Sequence, residues 1–255
     1  MKNETYILEC CADSVESVLN AYSGGGNRIE LCGNILIGGT TPSLCLFNEV
    51  KRNCDIKIHV LIRPRFGDFL YTYYEKRIII EEIKMFRESG ADGVVVGCLD
   101  KYGNLDFEFM KEVTEISGDM KIVLHRAFDM CRDPFFTIEK AISIGIDTVL
   151  TSGQKNNCLD GIGLIQELNE LYGDKINIMA GSGMNSDVIE NFLDRTSIKC
   201  FHMTGKTLLQ SNMEYRNLNV NMGIEGISEY EIWRTDESEI SKASNVLISH
   251  FNKRS

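Results

Sequence analysis

Short runs of β-branched and aliphatic residues alternate along the chain with stretches whose apolar positions recur at helical spacing, and this alternation predicts eight βα units. The first strand is expected over residues 6–10, followed by a helix that carries Val15, Val18, Leu19 and Tyr22 on one face. Strand two covers 28–32. The loop 38–43 then leads into a helix with Thr41 as its cap and Pro42 as its first residue, running to about Val50. Strand three, 57–63, stops at Pro64, and its helix spans about 75–89 before Gly90. Strand four, 93–97, precedes a helix starting near Asp106. Strand five, 121–125, precedes one opened by Asp133 and Pro134 and ended by Gly145. Strands six to eight fall at 147–151, 176–180 and 199–203. Their intervening helices show apolar faces at Ile162, Ile165 and Leu168 and at Val188, Ile189, Phe192 and Leu193.

Parallel strands need crossover helices, and eight of them close a cylinder. No Pro/Gly/Ser-rich linker separates the units, so the expected architecture is α/β, a single (β/α)8 TIM barrel forming one domain over 1–255. A doubly wound open sheet is the competing arrangement, weakened because no G-x-G-x-x-G follows the first strand. Residues 204–233 show little periodicity before a closing helix at about 236–250; a stretch that long is expected to be a lid or binding loop.

Composition narrows the function classes. The 255 residues hold 27 Lys plus Arg against 37 Asp plus Glu, a net charge of −10, which lacks the basic footprint of a nucleic-acid binder. With 43% hydrophobic and 25% charged residues the chain reads as an ordinary globular protein. No apolar run reaches membrane-spanning length, and Met1–Thr5 leads into a strand without a signal-peptide core, so a cytoplasmic location and no membrane partner are expected. Nine cysteines, an odd number with no C-x-x-C pair, read as reduced thiols, most of them small buried hydrophobes.

In such a barrel, chemistry sits at the C-terminal strand ends. Polar residues fall there repeatedly: Glu9, Glu30, Arg63 with Arg65 and Asp68 beyond, His125–Arg126 with Asp129, and His202. Strand alternation puts Arg28, Glu30 and Cys32 on the barrel axis if Ile29 and Leu31 face the helices, and the same parity turns Glu9, Arg63 and His125 inward. Glu30, Arg63, His125 and Asp129 are therefore candidate catalytic residues, suited to acid/base work on a small anionic substrate because His trades a proton near neutral pH. The competing reading is a neutralising ion-pair layer.

Arg65, Arg126, Ser152, Gly153, Gly181 and Gly183 are candidate anion-binding residues, because turn N–H groups after strands six and seven can cradle a phosphate; the plainer reading is turn glycines. For a soft metal, Cys10, Cys11 and Cys32 on adjacent strands are the candidate ligands. A Schiff-base mechanism is disfavoured, since the only Lys near a strand end is Lys206, beyond strand eight.

Several strings in order resemble the copper homeostasis protein CutC family: Leu8–Ser14, Arg28–Cys32, Gly39–Ser43, Ile62–Phe69, His125–Asp129 and Leu150–Gly153. The resemblance extends from about Tyr6 to Trp233–Asp236. It implies a cytosolic TIM barrel, a homo-oligomer (dimer or tetramer), and a part in copper tolerance or trafficking with a bound copper ion. It also implies a polar mouth at Glu30, Arg63, His125 and Asp129. Two positions depart from the family pattern. Phe201–Lys206 stands where relatives tend to carry small residues, and Cys10–Cys11 is a doubled cysteine where a single one is expected beside a Val. Two functions follow, copper handling at the thiols or an acid/base enzyme (lyase, isomerase or hydrolase) on a small anionic or phosphorylated metabolite, with pure ligand binding as a third.

Overall fold

Eight parallel strands, β1 (Ile7–Ala12), β2 (Arg28–Leu31), β3 (Lys57–Leu61), β4 (Gly93–Val96), β5 (Lys121–Leu124), β6 (Thr148–Thr151), β7 (Asn177–Gly181) and β8 (Cys200–Met203), close in chain order. This computed structural model describes residues 5–217, 219–223 and 226–252. Residues 1–4, read above for a leader, and the last three residues of the expected 1–255 domain lie outside them. Strand β1 pairs with both β2 and β8, so the sheet has no edge and the open doubly wound arrangement is excluded.

Seven helices cover the strands: α1 (Val15–Ser23), α2 (Leu44–Asn53), α3 (Tyr73–Glu88), α4 (Phe107–Ser117), α5 (Pro134–Ser143), α6 (Ile162–Tyr172) and α7 (Ser186–Arg195). The closing helix α8 (Glu237–Asn252) packs on α1 and α7. Among the described residues, no helix is long and apolar enough to cross a membrane.

Strand alternation divides the core in two. Outward residues such as Leu8, Ile29, Ile58 and Phe201 pack with Phe47, Phe86 and Phe192 of the helices, while Cys11, Cys32, Leu61, Val95, Val123, Leu150, Met179 and Cys200 fill the barrel interior. Glycines on β4 and just after it taper that interior. A Cβ at Gly93 would come 2.7 Å from the His59 ring, and one at Gly97 would come 2.7 Å from that of His125, so both imidazoles occupy space these residues leave free.

Local departures from expectation have local causes. Strand β1 continues to Ala12, because Cys11 and Ala12 pair with Glu30 and Leu31. Glu9 therefore lies inside the barrel and not at its mouth. Helix α2 is capped by Ser43, whose hydroxyl accepts from Leu46 N, whereas the expected cap Thr41 accepts from Arg63 N and donates to Glu82. Helix α3 begins earlier than expected, at a Thr72/Glu75 capping box. Within the supposedly irregular 204–233 segment, β9 (Lys206–Gln210) pairs with β10 (Glu231–Thr235) as an antiparallel ribbon beside the barrel mouth.

Candidate functional site

Inward parity at the C-terminal end of the barrel opens a cavity of about 590 Å³. Cys11, Glu30, Leu61, Leu150 and His202 line it from the strands; Arg63, Phe69 and His125 form one wall, and Arg126, Asp129, Gly183 and Lys206 stand nearer the rim.

Beneath the cavity lies a buried charge network. Glu9 is fully buried; its Oε2 accepts from Arg28 Nε at 2.5 Å, and its Oε1 lies 2.8 Å from His202 Nδ1. Burial alone would raise the Glu9 pKa, but Arg28, His202 and His59 together hold it well below the usual carboxylate range. The other arm of Arg28 donates to Met179 Sδ at 3.2 Å. His59 Nδ1 sits 3.9 Å from Glu9, yet burial and then Arg28 push its pKa down to about 4, so the ring is neutral at physiological pH.

At the cavity floor, Cys11 Sγ donates to Glu30 Oε1 at 3.2 Å and lies 3.5 Å from Cys32 Sγ. Ligand atoms of Cys11, Glu30 and His202 all fall within 4.8 Å of one another. The contact with Cys32, then burial, holds the Cys11 thiol protonated well above its ordinary range. Burial raises Glu30 while His202 opposes it. Burial by itself would lower His202, but Glu30, Cys11 and Glu9 outweigh it and raise its pKa well above 6.5, so this ring is the cation of the floor.

The wall behaves differently. Arg63 donates through Nη1 to the Gly38 and Gly39 carbonyls at 3.0 Å each and through Nη2 to Gly67 O at 3.1 Å, and its guanidinium stacks 5.2 Å from the Phe69 ring centroid. His125 Nδ1 accepts from Ala127 N at 3.1 Å, where the residue caps a 3-10 turn, so its ring proton is on Nε2. Burial and then Arg63 lower its pKa to about 3. The expectation that His125 trades a proton near neutral pH is corrected: it is a neutral donor. Among the described residues, neither Arg63 Nε nor His125 Nε2 has a hydrogen-bond partner and Arg63 makes no ion pair; the neutralising ion pair inside the barrel is formed by Arg28 and Glu9 instead.

The rim residues are spent on one another. Asp129 accepts from Arg126 Nε at 2.7 Å, from the Thr151 hydroxyl at 2.5 Å, from Ser152 N at 3.0 Å and Ser152 Oγ at 2.9 Å, and from Gln154 N at 3.2 Å. Gly153 N donates to Thr151 Oγ1. The turn after β6, read as a phosphate cradle at Ser152 and Gly153, thus already holds the carboxylate of Asp129, and neither residue lines the cavity. Asp129 in turn organises the rim and has no oxygen left without a donor. Arg65 binds Glu75, Asp68 and the Phe66 and Leu70 carbonyls, away from the cavity. Arg126 lines the cavity while bound to Asp129 and Ser152. The turn after β7 differs: Gly183 lines the cavity, and among the described residues no hydrogen bond engages the N–H of Gly183 or Met184. Gly181 acts by its small size, since a Cβ there would come 2.7 Å from Leu150 Cδ1 and 3.2 Å from His202 Cβ.

Of the three candidate metal ligands, Cys11 and Cys32 meet, but Cys10 points outward into the layer between barrel and helices. It could not do otherwise, because neighbours on a strand face opposite sides. His202 and His59 were not among the candidate site residues, although the parity that turns Arg63 inward also turns His59 inward.

Comparisons with known proteins identify the family and the fold. The CutC family profile matches residues 6–207. A CutC family protein of Bacteroides fragilis is 44% identical over 235 residues, covering 91% of this chain and 92% of its own length. The human copper homeostasis protein cutC homolog is 37% identical over 248 residues, 95% of this chain and 91% of its own. The crystal structure of a candidate copper homeostasis protein CutC from Streptococcus agalactiae aligns with a TM-score of 0.74 at 29% identity, covering 78% of this chain and 98% of that one.

Proposed function

The chain belongs to the CutC family, and on that footing we propose that it is a copper-handling protein that takes up Cu(I) on the paired thiols of Cys11 and Cys32. The observation that carries this reading is the 3.5 Å approach of those two buried sulfurs, Cys11 lining the floor of an open cavity and Cys32 fully buried beside it. Thiolate is the donor a soft monovalent ion prefers, and burial excludes competing water. The residues fit the ion because Glu30 Oε1 already accepts from the Cys11 thiol, and its raised pKa equips it to take the proton that must leave when sulfur binds metal. Affinity should therefore rise with pH. Nine free cysteines suit the reducing cytoplasm, where Cu(I) is the stable oxidation state. The test is anaerobic competition against a chromophoric Cu(I) chelator. Binding that survives both Cys11→Ser and Cys32→Ser would sink the reading.

A second reading is favoured by a separate observation: the cavity is far larger than one ion requires, and Arg63 and His125 flank it with unpartnered N–H groups. These donors suit a small anionic metabolite, with Glu30 as the proton-transfer group and His125 polarising an oxygen as a neutral donor. Thermal-shift screening of small carboxylates and phosphomonoesters against wild type and His125→Ala tests it; a panel without any shift speaks against it. For assembly, we propose a homo-oligomer built on the β9–β10 ribbon, whose Leu208, Leu209 and Ile232 are exposed. Two strands alone bury little, so the ribbon gains from a second copy. Sedimentation of wild type against Leu209→Glu checks it, a monomer in both excluding it.

A further inference from the structure

We propose that the cavity carries out proton transfer at C3 of a 2-oxo acid with an apolar side chain. Arg63 and His125 hold its carboxylate and carbonyl oxygens, and Glu30 moves the proton. This names the substrate class of the anionic-metabolite reading and rests on that reading.

Five buried side-chain polar atoms among the described residues lack a hydrogen-bond partner, and three of them, Glu30 Oε2, Arg63 Nε and His125 Nε2, belong to residues lining this cavity. Those residues are only 5%, 8% and 5% exposed, so their partner has to come from within the cavity. Together they define what must enter. Arg63 and His125 both pack on Phe69, with the guanidinium 5.2 Å and the imidazole 4.7 Å from its ring centroid, so their free N–H groups share one wall. Arg63 makes no ion pair among the described residues and calls for a charged oxygen. His125 is a neutral donor and suits an uncharged carbonyl. Adjacent carboxylate and carbonyl oxygens are what a 2-oxo acid offers. A lone carboxylate could meet both N–H groups but would leave Glu30 Oε2 unmet. Much of the remaining lining is apolar, with Ile35, Ile37, Leu61, Leu150, Met184 and Met203, which suits a branched alkyl chain.

The other polar groups of the lining are already engaged. Asp129 has both oxygens filled, Ser182 Oγ donates to Asn156 O, and His202 is tied through Nδ1 to Glu9. The Cys11 thiol holds Glu30 Oε1, which leaves Oε2 as the carboxylate oxygen free to act. Glu30 Oε2 takes the proton from C3; the C–H electron pair becomes the C2–C3 double bond, and the carbonyl π pair moves onto oxygen. The enolate oxygen stays hydrogen-bonded to His125 Nε2–H, which keeps its proton, with the Arg63 charge on the same wall. Return of a proton from Glu30 to C3 completes the cycle and consumes no co-reactant. Between the two steps the proton on Glu30 exchanges with solvent through the open mouth.

The test is to incubate the protein with 4-methyl-2-oxopentanoate in D2O and follow the C3 proton signal by NMR, with thermal shift reporting binding in parallel. Wild type should remove that signal faster than buffer. Glu30→Gln keeps the shape but not the base, and should lose at least about 100-fold in rate while its midpoint still rises with ligand. His125→Ala should lose both the shift and at least about 100-fold in rate. Pyruvate should bind more weakly by about fourfold per missing carbon. A midpoint shift that is lost in His125→Ala, without exchange above the buffer rate, overturns the proton-transfer proposal and leaves the anion reading standing. Exchange undiminished in Glu30→Gln also overturns it, as does a covalent adduct trapped by borohydride, which would assign the chemistry to an imine at Lys206. A larger shift with phosphomonoesters than with any 2-oxo acid overturns the substrate class. Neither shift nor exchange with any anion overturns both readings. The wild-type measurements decide even where a variant fails to fold.

Discussion

The rim and the floor of the same cavity are built from the same kinds of side chain and behave in opposite ways. At the rim, Asp129 collects donors from Arg126, Thr151, Ser152 and Gln154, and Arg65 is divided among Glu75, Asp68 and backbone carbonyls. On the floor and wall, Glu30 Oε2, Arg63 Nε and His125 Nε2 are buried with no partner among the described residues. Buried polar groups are normally satisfied, and each exception costs free energy. Polar residues at a barrel mouth are therefore not equivalent. The saturated ones hold loops in place, and the unsaturated ones are where a ligand has something to offer.

The largest effect should come from the rim. Asp129→Ala strips several buried donors of their acceptor and is expected to lower stability by about 3–5 kcal/mol in urea unfolding. A loss below about 1 kcal/mol would show that the rim network is dispensable. Next, Cys32→Ser should lower Cu(I) affinity by more than about 100-fold, ~2.7 kcal/mol, beyond the ten- to hundredfold typical of outer-shell changes. Stability should move far less, because Cys32 is a small interior residue.

A pH series sharpens the contrast within the wall. His125 is lowered from 6.5 to about 3 when folded, so between those values the unfolded chain binds a proton that the folded one refuses. Its contribution is complete above pH 6.5 and is lost as pH falls toward 3, by about 1.4 kcal/mol per pH unit. His59, lowered to about 4, adds a term of the same sign. His125→Gln should make the fall in urea midpoint between pH 7 and 5 shallower; an unchanged slope would mean the ring protonates in the folded protein. The smallest effect is expected at Arg65→Ala. That side chain is 36% exposed, and its ion pairs should be worth about 1 kcal/mol or less, with no change in Cu(I) affinity.

Much of this was legible from the residues. The eight units, their order and most strand positions follow from apolar periodicity, and the inward set Glu30, Cys32, Arg63 and His125 follows from counting in twos. What went astray did so where a residue's partners are distant. Thr41 looks like a helix cap until Arg63 and Glu82 claim its hydroxyl, and Ser152 and Gly153 look like an anion cradle until Asp129 fills it. Cys10 is the exception, since alternation alone could have separated it from Cys11.

The sequence by itself determined the fold class and the face on which each strand residue lies, because a two-residue period is a property of neighbouring backbone. Only the closed barrel decided which inward groups meet. Glu9 and His202 are 193 residues apart and bond only because β8 returns to pair with β1. The same closure turns His202 into a cation and leaves His125 neutral, since protonation depends on burial and on charges across the cavity that no local pattern records.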